Sequence, residues 1–332
     1  MTPTSRTVLA LAAGMGLSSP AEELVYAPDE GSTLSRTFDA EASYDLDGIR
    51  VEIDGEEVPH GETPELTIDS DEHVAVTDRL LSVEDGHPLS LRRKFDELSR
   101  SVTYSSTEQD EDLEESSVCD LEGSTVHFEW NAEEGAYEAS DEDDVLEQDV
   151  LDDLIEDMDL RQLLPDGEVD PGDEWDVDVD AYARLMWPGG FLHFYPEDGE
   201  LDEKEMESDR EMVANLEGEG TVKFEEVREE DGVSLAVLTV RIEVDSHATT
   251  ATEGPGGSEA ERTLEMSREI EGTLLWNIED AHLHSAELEA DADLDVSEAG
   301  TLENPQGEEV EFTQTRSFSG TISYTVTIER RD

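Results

Sequence analysis

The sequence predicts a mainly β protein of the α+β class: a large curved antiparallel sheet, or an open half-barrel, with one long helix packed on it. Two observations lead to this prediction. Apolar and polar residues alternate along most of the chain, which is typical of strands with one buried and one solvated face. The interval 144–164 instead has apolar residues three and four positions apart, which indicates a helix.

The alternation is clearest over residues 34–46, where every second position carries an apolar, aromatic or arginine side chain. The Asp-Gly pairs at 47–48 and 54–55 predict turns after this run. Further runs include 233–244 and 310–328. Strands of this length, at about 3.3 Å per residue, span about 35 Å or more, which favours one extended curved sheet over a compact sandwich.

The predicted helix over 144–164 has start and stop signals as well as periodicity. Asp141 and Asp143 are suitable N-caps, and Pro165 with Gly167 follows the last apolar residue. The apolar face is wide, so the helix is expected to lie across the sheet. Its members are Val145, Leu146, Val150, Leu151, Leu154, Ile155, Met158, Leu160, Leu163 and Leu164.

The N-terminus has the order of a secretory signal. One arginine precedes the ten-residue apolar run Val8–Leu17, and small residues follow it. This run is shorter than the ~20 residues of a membrane-spanning helix. We therefore expect a signal peptide over 1–21 and an exported, periplasmic or extracellular protein. Residues 22–332 are expected to form a single β-rich domain, with a sub-boundary near 197–215 as an additional hypothesis.

The composition excludes two classes of partner. The 332-residue chain carries 91 Asp and Glu against 20 Lys and Arg, a net charge of −71. Nucleic acids and anionic membrane surfaces both require a basic footprint. Arginine far outnumbers lysine, and such acidic, lysine-poor chains are typical of salt-adapted organisms. The acidity is therefore interpreted as an adaptation to high salt, with binding of divalent cations as the alternative.

No cofactor and no specific metal are expected. The acidic clusters at 108–115 and 141–144 predict at most a loose association with Ca²⁺, because they lack the ligand spacing and glycine of a calcium loop. His282 and His284 share a strand face and are weak candidates for a zinc site. The sequence identifies no third ligand beside them.

Cys119 and the arginine group near residues 79–100 receive structural interpretations. Acidic neighbours would raise the pKa of the Cys119 thiol, so an inert cysteine is expected. Cross-strand pairing with carboxylates is the favoured interpretation of the arginines, and an anion site is the alternative. The members of this group are Arg79, Arg92, Arg93 and Arg100.

The interval 187–196 is the most aromatic part of the chain. If exposed it would cover a pocket or contact an apolar ligand, and if buried it would be a loop packed into the core. Trp187, Phe191, Phe194 and Tyr195 are the candidate ligand-binding residues.

A Pro-Gly-Asp-x-Trp turn at Pro171–Trp175 leads into alternating residues. Here the chain resembles uncharacterised secreted bacterial β-rich proteins with such a turn between a helix and a strand. The resemblance covers about fifteen residues. It implies no activity and no functional residue.

Three functional classes remain open, and a non-enzymatic role is favoured because no GxSxG, P-loop or HExxH motif is present. The first is an exported cell-envelope or interaction protein whose partner is an unknown envelope protein. The alternative is a carrier or sensor that binds a lipid-like apolar small molecule in a half-barrel, by fold analogy with periplasmic lipoprotein carriers. A hydrolase is the third. An apolar cavity would favour the carrier, and a filled core would favour the interaction protein.

The charge predicts salt-dependent folding. In dilute buffer the chain should lose structure, and in molar NaCl it should regain it, because the Debye length falls to about 3 Å and repulsion between carboxylates is screened. Circular dichroism during thermal unfolding at several NaCl concentrations measures this. A melting temperature independent of salt would contradict the interpretation of the charge.

Overall fold

A computed structural model confirms the mainly β class, with 66% strand and 9% helix. The predicted signal segment 1–21 lies outside the part of the chain that the structure describes. The described residues are 22–59, 61–84, 86–107, 112–143, 145–197, 199, 203–253, 258–303 and 309–331.

The strands range from two-residue bridges to spans of more than twenty residues. They are β1 Glu22–Glu23, β2 Thr33–Ile53, β3 Glu56–Glu57, β4 Leu66–Glu84, β5 His87–Ser106, β6 Leu113–Val118, β7 Thr125–Asn131, β8 Ala136–Asp141, β9 Glu168–Val169, β10 Glu174–Val177, β11 Tyr195–Pro196, β12 Glu217–Glu230, β13 Val233–Glu253, β14 Glu259–Asn277, β15 His282–Glu303 and β16 Glu309–Arg331. The helices are α1 Gln148–Asp152, α2 Asp180–Met186 and α3 Glu203–Ala214.

One large antiparallel sheet of 14 strands dominates the described residues. Its long strands lie in the order β12, β13, β14, β15, β16, β2, β4 and β5. Neighbouring long strands are also close in sequence except at one place. There β16 pairs with β2, in a register that runs from Phe312 opposite Ile53 to Arg331 opposite Thr33. The predicted large antiparallel sheet is therefore confirmed.

The core lies on one face of this sheet, because alternate residues of each long strand point to the same side. The outward residues are mostly acidic or hydroxylic, for example Asp291 and Asp293 of β15. The inward residues include fully buried members of most long strands. Examples are Leu34, Val74, Phe95, Phe224, Leu238, Ile270, Trp276 and Ile328.

The two Asp-Gly signals have different outcomes. Asp54 and Gly55 both have positive φ and form the predicted turn between β2 and β3. The turn predicted at 47–48 is wrong, because β2 continues through it. There Gly48 and Leu46 oppose consecutive residues of β16, so Asp47 is the extra residue of a β-bulge. Because β16 pairs with β2 on both sides of this dipeptide, the strand accommodates the extra residue as a bulge and does not turn.

The predicted long helix over 144–164 is also wrong. Among the described residues, α1 covers Gln148–Asp152, and a single 3-10 turn covers Arg161–Leu163. Leu160, just before that turn, has a left-handed φ of 52°. The described part of this segment contains no long helix. Apolar residues such as Met158 and Leu160 reach the core from irregular backbone, whereas Val145 is exposed.

Tertiary hydrogen bonds explain the loss of the helix. The carbonyl oxygens of Ile155 and Glu156 accept hydrogen bonds from the Arg93 guanidinium at 2.8 Å, and the amide of Ile155 donates to Gly189. Acidic side chains between the apolar positions are buried in ion pairs instead of facing water. Periodicity cannot distinguish such buried acids from a solvated helix face.

Helix α3 lies where the sub-boundary at 197–215 was proposed, and it packs on β13. Ser246 donates a hydrogen bond to the carbonyl of Met212 at 2.5 Å, and Asn215 donates to the carbonyl of His247 at 2.9 Å. Across the described residues, no helix combines the length and apolar character needed to cross a membrane.

Gly320 of β16 lies very close to the neighbouring strand β2. A Cβ there would lie 2.1 Å from the carbonyl oxygen of Ser43 and 2.8 Å from Cδ1 of Tyr44. Gly320→Ala should therefore lower the free energy of unfolding by about 1–3 kcal/mol, measured by urea unfolding in molar NaCl.

The matched control is Gly48→Ala on the neighbouring strand, because a Cβ at Gly48 meets nothing within 4 Å. Its effect should stay within about 0.5 kcal/mol. Equal effects of the two substitutions would contradict the close strand approach at Gly320.

Candidate functional site

A cavity of about 510 Å³ lies between the inner face of the sheet and the residues that follow α2. Pockets of about 300–1,000 Å³ are typical of small-molecule sites. Its floor consists of side chains from β2, β4, β5, β14, β15 and β16. Its roof comes from residues 185–194 and from α3. Floor residues include Phe38, Ala42, Ile68, Leu264, Leu294 and Phe318.

Three of the four aromatic candidates line this cavity: Trp187, Phe191 and Phe194. The rings of Trp187 and Phe191 contact each other, with their centroids 5.4 Å apart. Tyr195 does not line it. Its hydroxyl donates a hydrogen bond to Asp120 at 2.6 Å, and its backbone pairs with Val118 of β6.

The roof is fastened to the irregular segment that replaces the predicted helix. Leu154 and Gly190 form an antiparallel bridge, and the amide of Phe191 donates to the carbonyl of Asp153 at 3.1 Å. Gly190 has a φ of 104°, and a Cβ there would lie 2.2 Å from that carbonyl oxygen. This close approach requires glycine.

A buried ion network holds that segment on the sheet. Arg93 of β5 donates to both carboxylate oxygens of Asp78 of β4, at 2.9 and 2.8 Å. Arg36 of β2 donates to Asp78 at 2.8 Å and to Asp159 at 2.6 Å. The side chains of Asp78 and Arg93 are completely buried. These ion pairs therefore connect three adjacent strands, β2, β4 and β5, with the irregular segment at Asp159.

A second ion pair extends the network within the segment. Arg161 contacts both oxygens of Glu156, at 2.6 and 2.7 Å, and its guanidinium lies 4.7 Å from the ring centre of Tyr26. Burial raises the pKa of Glu156 to about 7, although the charge of Arg161 acts in the opposite direction. Desolvation thus outweighs ion pairing at this carboxyl.

The cavity wall contains charged groups as well as apolar ones. Arg100 and Glu72 oppose each other on β5 and β4, with Nε 4.0 Å from Oε2. Burial raises the pKa of Glu72. His193 is held by Asp153 through a 2.6 Å contact at Nε2. Asp209 of α3 also lines the cavity.

Arg268 of β14 enters the same cavity without a carboxylate beside it in the described residues. Its guanidinium lies 2.5 Å from the hydroxyl of Tyr182, 3.4 Å from that of Tyr324 and 3.4 Å from that of Tyr44. Its Nε is shielded from solvent and has no hydrogen-bond partner among the described residues.

The other sequence candidates do not converge on this cavity. His282 is buried, and its Nδ1 contacts the carbonyl of its own neighbour Leu283 at 2.6 Å. His284 is not brought together with further ligands, since the described residues contain no group of three His, Cys, Asp or Glu suited to a metal. Residues 108–111 of the 108–115 cluster lie outside the described residues.

Cys119 and the arginine group follow their structural interpretations. The Cys119 thiol donates to the carbonyl of Leu192 at 2.6 Å, and burial raises its pKa to about 12. Such a thiol stays protonated and is a poor nucleophile. Arg92 pairs with Glu142 and Arg93 with Asp78, so carboxylate pairing is confirmed for these two.

No protein-family model and no curated protein sequence matches the chain. Among solved structures, the crystal structure of Pseudomonas aeruginosa OpdQ aligns with 90% of this chain and 98% of that chain, at 7% sequence identity. The TM-score of that alignment is 0.11, which is too low to indicate a shared fold.

Sequence reasoning predicted the pairing of Arg93 with a carboxylate, but it missed the network shared with Arg36 and the tyrosine-bound Arg268. The sequence signal for these arginines lies in the alternation of inward and outward residues along the strands. Arg36, Arg93 and Arg268 each occupy an inward position between two apolar residues of a strand. A cation at such a position must find a buried partner or line a cavity.

Asp78→Asn tests the ion network. The substitution leaves two buried guanidinium groups without their shared carboxylate, so the free energy of unfolding should fall by about 3–5 kcal/mol. Asp96→Asn is the control, because its partner Lys94 is exposed, and about 1 kcal/mol or less is expected. Urea unfolding in molar NaCl measures both, and equal effects would contradict the proposed dependence on Asp78.

Proposed function

We propose that this chain is an exported, non-enzymatic carrier or sensor that binds a lipid-like apolar ligand between its curved sheet and the aromatic roof. The observation that carries the proposal is the cavity of about 510 Å³ lined by apolar and aromatic side chains. Binding pockets for small molecules are usually concave, largely apolar and already formed before the ligand arrives.

The construction of the roof supports this role. Trp187 and Phe194 pack against the edge of the core, and together with Phe191 they line the cavity. Their backbone is fixed by the bridge at Gly190 and by the hydrogen bond to Asp153. A pre-formed roof reduces the conformational entropy that a ligand must overcome on binding.

The cavity favours the carrier over the interaction protein. A purely structural envelope module gains most from a filled core, because each void in a core lowers stability. Here small side chains stand where larger ones would fill the space, for example Ala40 and Ala42 of β2. Export is supported by the sequence of residues 1–21.

The first experiment is mass spectrometry of small molecules released from protein purified natively in high salt. A stoichiometric lipid-like compound is expected. A second experiment uses N-phenyl-1-naphthylamine, a neutral dye that fluoresces in apolar surroundings, and expects saturable one-to-one binding.

Ala42→Trp should abolish dye binding, because the indole fills the cavity between floor and roof. Its matched control, Glu41→Trp, places the same indole on the outer face of the same strand and should bind the dye like the wild type. Affinity is measured by fluorescence titration in molar NaCl. Absence of saturable binding to the folded wild type would refute the carrier.

A further inference from the structure

We infer that the ligand of this cavity is an anionic amphiphile, with an apolar chain and a compact carboxylate head group that binds at Arg268. The inference rests on the proposed function and specifies its ligand class. It is carried by the position of Arg268 in the cavity wall, surrounded by three tyrosine hydroxyls and by no carboxylate among the described residues.

Arg268 differs in this respect from the other arginines of the core. Arg36 and Arg93 share Asp78, and Arg161 pairs with Glu156 and Asp157. A chain with 91 Asp and Glu residues has abundant carboxylates to neutralise a buried cation. Arg268 is half-buried, so it is partly desolvated without a counter-ion among the described residues, and an anionic ligand supplies the missing charge.

The groups around Arg268 also have hydrogen-bond donors that are not used within the described residues. A guanidinium only donates, and here it donates to phenol oxygens, which leaves the hydroxyl proton of Tyr44 available for an acceptor. The hydroxyl of Tyr324 also lies 3.4 Å from that of Tyr182, and either of these two oxygens can be the donor. Tyr44 and Tyr324 line the cavity. A carboxylate would accept from the guanidinium and from the Tyr44 hydroxyl together, in charge-assisted hydrogen bonds.

The register of the sheet allows Arg268 and Tyr44 to meet. Arg268 of β14 opposes Ala292 of β15, which opposes Gly320 of β16, which opposes Tyr44 of β2. Arg268 and Tyr44 therefore approach one another from strands about 14 Å apart, three strand spacings. Only an alanine and a glycine lie between them, and the Tyr44 ring packs closely over Gly320.

The remaining charges of the wall lie elsewhere along the strands. Glu72, which an anion would avoid, is opposite Ala40 and is paired with Arg100. Ala40 is four residues from Tyr44, a distance of about 13 Å along the strand. Arg268 presents one guanidinium without a carboxylate partner among the described residues, which matches one carboxylate better than a doubly charged phosphate ester.

The decisive experiment compares three ligands with the same chain: decanoate, decan-1-ol and decyltrimethylammonium, each displacing N-phenyl-1-naphthylamine in molar NaCl. The wild type should bind decanoate about tenfold or more tightly than decanol, and the cationic amphiphile most weakly. High salt should preserve this order, since buried pairs are screened much less than exposed ones.

Arg268→Met should lower the affinity for decanoate by about ten- to hundredfold and leave that for decanol unchanged. Arg262→Met is the matched control, because Arg262 lies on the same strand and also lines the cavity, but is exposed. It should keep the wild-type preference. Tyr44→Phe, which removes only a hydroxyl, should reduce the preference for decanoate less than Arg268→Met does.

Two results would overturn the inference in distinguishable ways. Equal binding of decanoate and decanol by the wild type would reject Arg268 as a head-group site and leave the apolar carrier intact. Failure of all three ligands and of the dye would reject the carrier and the inference together. Should Arg268→Met fail to fold, the wild-type comparison and Tyr44→Phe still decide the question.

Discussion

The shared carboxylate of Asp78 is the contact on which the cavity depends. It joins Arg93 and Arg36 on neighbouring strands, and Arg93 also binds the carbonyl oxygens of Ile155 and Glu156. The backbone at 153–155 in turn holds the loop with the aromatic roof. A chain of direct contacts therefore runs from the middle of the sheet to the cover of the cavity, without a helix between them.

The two faces of the sheet differ in their charged residues. Outward positions of β15 are acidic, as at Glu289, Asp291 and Asp293, while the inward positions between them are alanine or leucine. The positive charges of the inner face are few, and each meets a carboxylate or phenol group. The interior also holds carboxylates, among them those of Asp78, Asp159 and Glu156, and each of these three is paired with an arginine.

The sheet was predictable because its signal is local and repeated. Alternation over 34–46 and the turn at 54–55 depend only on nearest neighbours, and they appear in the structure as predicted. The segment 144–164 was not predictable, because its conformation is decided by Arg93, which is distant in sequence. Three of the aromatic candidates line the cavity, whereas Tyr195 donates a hydrogen bond to Asp120 instead. Only tertiary contacts distinguish these outcomes.

The complete sheet can form only after β16 pairs with β2. These strands lie side by side in the middle of the sheet although almost the whole described chain separates them in sequence. Until β16 is present, β2 and β15 are both open edges, and the two halves of the sheet are not joined. Folding of such long-range topologies is slow, because loop closure precedes the gain from contacts. The complete sheet therefore forms only once its last described strand is available to join the two halves.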